Sequence, residues 1–172
     1  MKNAILTERL KFREFELGDE QLLFDLNADW EVVKYTGNPP MKDLQEAHQV
    51  LNEIIIPQYA AGLGRWAVHL KDDNTFIGWC GLKNIDGNID LGYRFFKKFW
   101  GNGYASESAR AVLKYGFETI ALNRIIAHAA LENVASIRVL EKLNLNKTGV
   151  GEMDGIPVQA FAITRQEWQV GS

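Results

Sequence analysis

Several stretches of the chain alternate apolar and polar residues with the two-residue period of a half-buried β-strand. The first of them contains Leu10, Phe12 and Phe15 with charged residues in between. Short turn sequences that combine Asp, Asn and Gly separate several of the later ones. The other predicted strands cover residues 65–70, 75–82, 89–95, 124–131, 147–153 and 158–164.

Apolar residues three and four positions apart predict helices before, between and after these strands. Asparagine and aspartate are favoured N-caps, and proline is a frequent helix terminator. The predicted helices run from Asp19 to about Leu26, from Asp43 to near Pro57, over residues 104–121, and from Asn133 to about Leu143. Together these elements predict a central mixed sheet with helices on its faces, which is a mixed α/β or α+β fold.

The composition is that of an ordinary globular protein, and 172 residues predict a single domain, 1–172. The net charge of -3 disfavours a nucleic-acid or anionic-membrane partner. No apolar run approaches the ~20 residues of a membrane helix. A mixed stretch rather than an apolar one follows Met1 and Lys2, so no signal peptide is expected. We expect a cytoplasmic protein.

The single cysteine, Cys80, excludes an intrachain disulfide and fits a reducing compartment. Because it lies in an apolar run, we expect it to be buried rather than nucleophilic. His48, His69 and His128 are too scattered for a metal cluster, so no metal is expected. His128 could face a substrate from its predicted strand, but a core or edge histidine is the favoured interpretation.

The most informative feature is a pair of glycines, Gly101 and Gly103, between the predicted strand 89–95 and the predicted helix 104–121. A strand, a glycine turn and a helix N-terminus together expose unpaired N–H groups at the positive end of the helix dipole. Glycine also permits positive φ and close approach of a ligand to the backbone. The pattern therefore indicates a phosphate-bearing ligand, although such a turn on its own is often only a turn.

Two common nucleotide motifs do not fit this segment. The spacing Gly101-x-Gly103-x-x-Ser106 lacks the third glycine of a dinucleotide fingerprint and its short βαβ setting. The chain also has no Gly-Lys-Ser/Thr, which excludes a P-loop NTPase.

Three segments carry a family resemblance: Asp-Leu-Gly-Tyr at 90–93, Trp-Gly-Asn-Gly-Tyr-Ala at 100–105, and Asn-Val-Ala-Ser at 133–136 followed by Glu-Lys-Leu at 141–143. With the order of elements, they resemble the GNAT superfamily of acyl-CoA N-acyltransferases over essentially the whole chain. The subgroup that looks most similar is that of the ribosomal-protein N-terminal acetyltransferases. Trp100 stands where the family usually has Gln or Arg, and Asn144-Leu145 replaces its frequent Gly-Phe.

The resemblance implies a mostly antiparallel twisted sheet of six to seven strands flanked by about four helices, with acetyl-CoA as co-substrate and no metal. It implies that backbone amides of the glycine loop hold the pyrophosphate, and that one edge of strand 89–95 pairs with the pantetheine arm. It places Asn133 near the pantetheine amide and Ser136 near the thiol sulfur. The implied donor-binding residues are Leu91, Tyr93, Arg94, Phe95, Trp100, Gly101, Asn102, Gly103, Tyr104, Ala105, Asn133 and Ser136.

Three residues are candidates for the chemistry. Asp90 shares a strand face with Gly92, and in the family a carboxylate on this strand can accept the amine's proton, often through water. A solvated or ion-paired carboxylate is the equally weighted alternative. Ser136 is expected to polarise the departing thiolate, with Tyr104 as the competing donor. Asn133 and Ser136 could instead serve only the helix start, and Tyr104 could simply pack.

The expected function is transfer of an acetyl group from acetyl-CoA to a primary amine by direct attack in a ternary complex. A protein N-terminal α-amine is the first acceptor candidate. A small-molecule amine such as an amino acid, polyamine or antibiotic is the alternative, and a non-catalytic acyl-CoA sensor is a third possibility. Acceptor contacts are expected near residues 30–38 and 153–156, and either a monomer or a homodimer is compatible with the sequence.

Overall fold

The computed structural model describes residues 5–171; residues 1–4 and 172, which the predicted domain includes, lie outside that range. Seven strands form one sheet in the order β1-β2-β3-β4-β5-β7-β6. Neighbouring strands are antiparallel except β4 and β5, which are parallel. The strands are β1 (Leu10–Glu14), β2 (Gly64–Leu70), β3 (Phe76–Ile85), β4 (Asn88–Phe95), β5 (Arg124–Ala130), β6 (Asn146–Met153) and β7 (Ile156–Thr164). The predicted mixed, mostly antiparallel fold is confirmed.

Helices cover both faces of the sheet. They are α1 (Glu20–Ala28), α2 (Trp30–Val33), α3 (Leu44–Val50), α4 (Tyr104–Lys114), α5 (Val134–Lys142) and α6 (Arg165–Gly171). The helical path continues after α4 through a π-helical turn, Tyr115–Thr119. The sequence pattern did not predict α2 or α6, because four and seven residues are too few to show a helical period. Within residues 5–171, no helix combines the length and apolar character that crossing a bilayer requires.

One predicted helix cap and one predicted helix end differ from the structure. Asp19 is at the N-cap position of α1, but its side chain makes no capping bond. It accepts hydrogen bonds from the Arg13 guanidinium and the Glu16 amide instead. The predicted helix end near Pro57 is also wrong, because α3 continues through a π-helical turn into a 3₁₀ turn, Ile56–Ala61. Pro57 lies in the first positions of that turn, where proline is tolerated although it has no backbone N–H to donate.

Side chains on the two faces of the sheet belong to two separate hydrophobic cores. One face carries Trp66, Cys80 and Leu91, which pack with α4 in the larger core. The other face carries Phe15 and Trp79, which pack with α1, α2 and α3 in a second core. Cys80 is fully buried, as expected, and burial raises the pKa of its thiol far above the usual value. It is therefore not an available nucleophile.

The strands β4 and β5 pair over a short distance and then diverge. Among the described residues, the parallel ladder joins them at two positions, Asp90 with Ile126 and Leu91 with Ala127. Both strands continue past this point, β4 as far as Phe95 and β5 as far as Ala130. The sheet therefore has a gap at its centre, between the second half of β4 and the end of β5.

Candidate active site

A cleft of about 550 Å³ occupies the gap between β4 and β5. It continues to the loop before α4 and to α5 on one side of the sheet, and to α2 and the residues after it on the other. Most of the residues that the sequence assigns to the donor line this cleft: Tyr93, Arg94, Phe95, Trp100, Gly101, Gly103, Tyr104, Ala105, Asn133 and Ser136.

Two residues of the predicted donor set, Leu91 and Asn102, do not line the cleft. The backbone of Leu91 belongs to the ladder with β5, and its side chain is in the core. The side-chain amide of Asn102 folds back and donates to the carbonyls of Phe99 and Trp100, both at 3.1 Å. Asn102 thus shapes the loop from within it.

The glycines of the loop have the backbone conformation that the sequence predicts for them. Gly101 has φ +76° and Gly103, at the N-cap position of α4, has φ +80°. A Cβ at Gly101 would meet no atom within 4 Å, so conformation rather than space requires glycine there. The first N–H groups of α4 have no acceptor within the helix, and they lie at the positive end of its dipole. This end of the cleft is therefore suited to an anion.

Arg9 holds the loop against the body of the protein. Its guanidinium donates to the carbonyl of Asn102 at 3.0 Å and forms an ion pair with Glu107 at 2.6 Å. It also lies 4.5 Å from the centre of the Tyr104 ring, whose edge meets Phe99. These contacts support a packing role for Tyr104.

Trp100 stands where the family usually has Gln or Arg, and it holds the start of the loop against the end of β4. Its indole N–H donates to the carbonyl of Phe95 at 2.8 Å, which ties the loop to the end of β4. The indole is 44% exposed, so it is anchored by this bond rather than by burial.

Two hydroxyl groups meet on the α5 side of the cleft. The Tyr93 hydroxyl lies 2.8 Å from Ser136 Oγ, and the Asn133 side chain accepts a hydrogen bond from the Ser136 amide at 3.1 Å. Burial raises the pKa of the Tyr93 phenol well above its usual value, although its hydrogen bond with Ser136 opposes that effect. The phenol therefore keeps its proton throughout the neutral range and can act as a hydrogen-bond donor.

A histidine and a carboxylate meet at the point where the strands separate. His128 Nδ1 lies 2.8 Å from Asp90 Oδ1, and the two side chains are 23% and 14% exposed. His128 lines the cleft, whereas Asp90 lines a small adjoining cavity. This arrangement differs from the simplest expectation, in which Asp90 itself would face the reacting amine.

The two pairs lie on opposite faces of the sheet. Side chains alternate along β4, so Tyr93 points to the α4 and α5 side and Asp90 to the α1–α3 side. The core contacts of Tyr93 agree with this assignment. The cleft passes through the gap and connects the two faces.

One residue of this cleft, His128, was not expected there, and one of the two expected acceptor segments lines it. His128 was expected to be a core or edge histidine; the parallel register, which brings it diagonally next to Asp90, has no local signature. Val32, Tyr35 and Thr36, within the expected 30–38 segment, line the acceptor side. The other expected segment, 153–156, does not line the cleft. The turn in this segment packs against Gly37 instead.

The charge around the cleft is positive. Its described lining residues include Arg94, Arg138 and Lys142 but no aspartate or glutamate. Among the same described residues, no group of three His, Cys, Asp or Glu side chains could hold a metal ion. The cleft is thus built for anionic or neutral ligands.

Comparisons with known proteins place these features in context. The acetyltransferase (GNAT) domain family matches residues 9–146. An uncharacterized N-acetyltransferase, p20 of Bacillus licheniformis, is 34% identical over 150 residues, which are 86% of this chain and 84% of that protein. A GNAT-family acetyltransferase structure from Bacillus anthracis has a TM-score of 0.83 at 29% identity, and the match covers 96% of this chain and 100% of that one.

A spermidine N-acetyltransferase from Vibrio cholerae, solved with CoA and spermine, is similar in fold. Its TM-score is 0.80 at 20% identity, and the match covers 95% of this chain and 99% of that one.

Proposed function

This chain belongs to the GNAT acetyltransferase family, and from that premise we propose that it transfers the acetyl group of acetyl-CoA to an α-amine by direct attack in a ternary complex. The observation that carries the proposal is the cleft through the gap between β4 and β5, with a hydroxyl pair on one face and a His–Asp pair on the other. The ribosomal-protein subgroup stays a prediction, and the non-catalytic sensor is set aside because the relatives are N-acetyltransferases.

The residues at the α4 and α5 side fit a CoA thioester. The loop at Gly101 and Gly103 offers backbone N–H groups to a pyrophosphate, and no side chain obstructs Gly101. Arg138 and Lys142 add positive charge along α5, which suits the phosphate that CoA carries on its ribose in addition to the pyrophosphate. Acetyl-CoA supplies the activated acyl group; the protein supplies its position between the strands.

Tyr93 and Ser136 are the proposed donors to the departing thiolate. Their hydroxyls are 2.8 Å apart, so each orients the other. The raised pKa keeps the Tyr93 phenol protonated, so it can donate a hydrogen bond to the sulfur as the C–S bond breaks. Tyr104, the competing donor, instead lies between Arg9 and Phe99.

His128 is the proposed acceptor of the amine's proton, with Asp90 as the residue that positions it. A carboxylate on Nδ1 fixes the imidazole tautomer and leaves Nε2 free to take a proton, as in other His–Asp pairs. Asp90 therefore keeps a part in proton removal, but through the imidazole rather than by direct contact with the amine.

The charge of the cleft supports an α-amine over a polyamine. A polycation needs carboxylates, and the described lining residues include none. An α-amine has a pKa of ~7.7–8 in peptides against ~10.4 for a lysine side chain, so a single imidazole base is better matched to it. A protein N-terminus satisfies both the charge and the pKa requirement, and a free amino acid satisfies the charge requirement with a more basic amine.

The test is CoA release from acetyl-CoA across a panel of amines: free amino acids, peptides with N-terminal Ala, Ser or Met, Nα-blocked lysine and spermidine. We expect turnover of at least one α-amine class at a higher kcat/KM than of blocked lysine or spermidine. Tight CoA binding without turnover of any amine, or a preference for spermidine, would contradict the proposal.

A further inference from the structure

Two arginines contact one tryptophan on the face of the sheet that α1, α2 and α3 cover. Trp79 of β3 pairs with Arg94 of β4, and Arg65 of β2 pairs with Gly81, two positions along the same face of β3. The guanidinium carbons of Arg65 and Arg94 lie 4.8 Å and 5.6 Å from the centre of the Trp79 ring. The strand register therefore gathers two positive charges on one buried aromatic side chain.

Neither guanidinium has a carboxylate partner among residues 5–171. Arg94 donates to the side-chain oxygen of Asn27, which is neutral, and the described contact of the Arg65 guanidinium is with the Trp79 ring. Burial lowers the pKa of both arginines, and repulsion from Arg65 contributes to the value of about 10 for Arg94. Both remain charged at neutral pH and both are only partly exposed, so two like charges are held on one ring with no ion-paired carboxylate among the described residues, which is costly.

A second cavity of about 40 Å³ lies beside Arg65 and Trp79. That volume exceeds the space a single water needs, and is enough for a small polar group. Its lining residues are Arg65, Trp79, Gly81, Lys83, Asp90 and Gly92. Two of these residues are glycines and bring no side chain to the cavity. A Cβ at Gly81 would lie 1.9 Å from the carbonyl oxygen of Gly64, so the close approach of β2 requires glycine there.

This cavity adjoins the proposed proton acceptor. Asp90, which bonds to His128, lines the cavity, and Gly92 lies between Asp90 and Arg94 on the same face of β4. Arg94 lines the main cleft and Arg65 lines the small cavity, so one of the two guanidinium groups borders each space. The proposed proton acceptor and the two guanidinium groups therefore lie on the same face of the sheet.

We infer that the amine acceptor carries an anionic group, a carboxylate or a phosphate, which Arg65 and Arg94 bind beside Trp79. This inference rests on the proposed function and narrows its acceptor. The anion would supply the missing counter-charge, and a guanidinium matches the geometry of both oxyanions. An amino acid meets this requirement and is an α-amine. An aminoalkyl phosphate presents the other oxyanion on a different primary amine, whereas a polyamine would bring more positive charge to a positive site.

The experiment compares acceptors that differ only in the anion: alanine with alaninamide, and phosphoethanolamine with ethanolamine. We expect kcat/KM to favour the anionic member of at least one pair by about tenfold or more, which is the usual effect of one charge-assisted hydrogen bond. The amide's amine is the weaker base, so a preference for alanine cannot come from a larger neutral fraction. The pair with the larger ratio shows whether carboxylate or phosphate is bound.

A charge-removing variant, Arg65→Gln, connects the preference to this site. It should lower the anionic-to-neutral ratio by about tenfold. Arg65→Lys should retain part of the ratio, and Arg110→Gln, an exposed position on α4, should leave it unchanged. The melting temperature of Arg65→Gln should be equal to or above that of the wild type, because repulsion with Arg94 is relieved. A structural role for Arg65 predicts the opposite shift.

Calorimetric titration of alanine and alaninamide, and of phosphoethanolamine and ethanolamine, into the protein saturated with CoA gives a readout that does not need turnover. Tighter binding of an anionic member, lost in Arg65→Gln, is the expected result. Equal kcat/KM and equal affinity within both pairs, with turnover of neutral amines intact, would overturn this inference but leave the proposed function standing. Failure of every amine to accept an acetyl group would instead contradict the proposed function.

Discussion

His128 Nδ1 lies 2.8 Å from Asp90 Oδ1 at the point where β4 and β5 stop pairing. The two residues are 38 positions apart in the chain, and only the parallel register between their strands brings them together. Because the gap opens directly beyond this pair, its imidazole lies at the edge of the cleft and its carboxylate behind it. The bond therefore joins a side chain that lines the cleft to one that lines the small cavity on the α1–α3 face of the sheet.

Replacing His128 with alanine should lower kcat by about 100-fold or more, which is typical for loss of a general base. Asp90→Asn should cause a smaller loss, since the imidazole remains but is no longer held by a carboxylate. The loss in each variant should be greater for an amine of high pKa than for a peptide α-amine, because the first needs more help with deprotonation. Steady-state rates with the two amines check this; equal losses for both would count against proton removal by the pair.

Tyr93→Phe should lower kcat by about tenfold or more with little change in the KM for acetyl-CoA, because it removes a donor to the thiolate but no binding surface. Tyr104→Phe is the matched control: it deletes the same hydroxyl from another tyrosine in the same cleft. We expect it to leave kcat within about twofold of the wild type. A larger loss in Tyr104→Phe than in Tyr93→Phe would reverse the assignment of the two tyrosines.

Gly103→Asp should weaken CoA binding by about 100-fold or more, because it places a carboxylate where the pyrophosphate is expected. Gly103→Asn has almost the same shape and tolerates the φ of +80° equally well, so it separates charge from conformation. A Cβ at this position meets Arg9 at 3.5 Å, an ordinary contact, and both variants should fold. Calorimetry should show CoA bound by Gly103→Asn far more tightly than by Gly103→Asp. Equal affinities would refute the placement of the pyrophosphate.

Asp19→Asn should lower the free energy of unfolding at pH 7 by on the order of 1 kcal/mol, through loss of a two-bond pairing with the partly exposed Arg13. Burial on its own would raise the pKa of Asp19, but hydrogen bonds from Arg13 and from the Glu16 amide outweigh it and the pKa is lowered. A lowered folded-state pKa gives stability that is present above the unfolded value of ~3.9 and is lost as the pH falls through the folded value.

The free energy of unfolding, measured with urea, should therefore differ less and less between wild type and Asp19→Asn as the pH falls below about 4. A difference that stays constant down to pH 2 would show that the carboxylate's charge contributes nothing. Gln21→Ala, an exposed change on the same helix, is a control for altered helix propensity.

Local patterns were sufficient for most of the fold and for the donor side of the cleft. The strand alternation and the Gly101 and Gly103 turn depend on neighbouring residues, so the sequence displays them directly. The His128–Asp90 contact and the Arg65–Trp79–Arg94 cluster depend on register between strands, which no single segment encodes. That difference explains why the sequence indicated the donor more clearly than the acceptor.

Trp100 shows a further limit of sequence patterns. It departs from the family's usual residue at this position, and the resemblance implied only that it belongs to the donor-binding set. The structure shows an indole N–H bonded to the carbonyl of Phe95, a contact that depends on how the loop folds back on β4.

The central claim is direct transfer across the gap between β4 and β5, with donor and amine bound together. Initial rates of CoA release, measured while acetyl-CoA and an α-amine are both varied, test it most directly. Because Cys80 is buried and the cleft joins both faces of the sheet, we predict intersecting double-reciprocal lines and no CoA release without amine. Parallel lines, or a stoichiometric burst of CoA in the absence of amine, would show an acyl-enzyme intermediate and contradict the account.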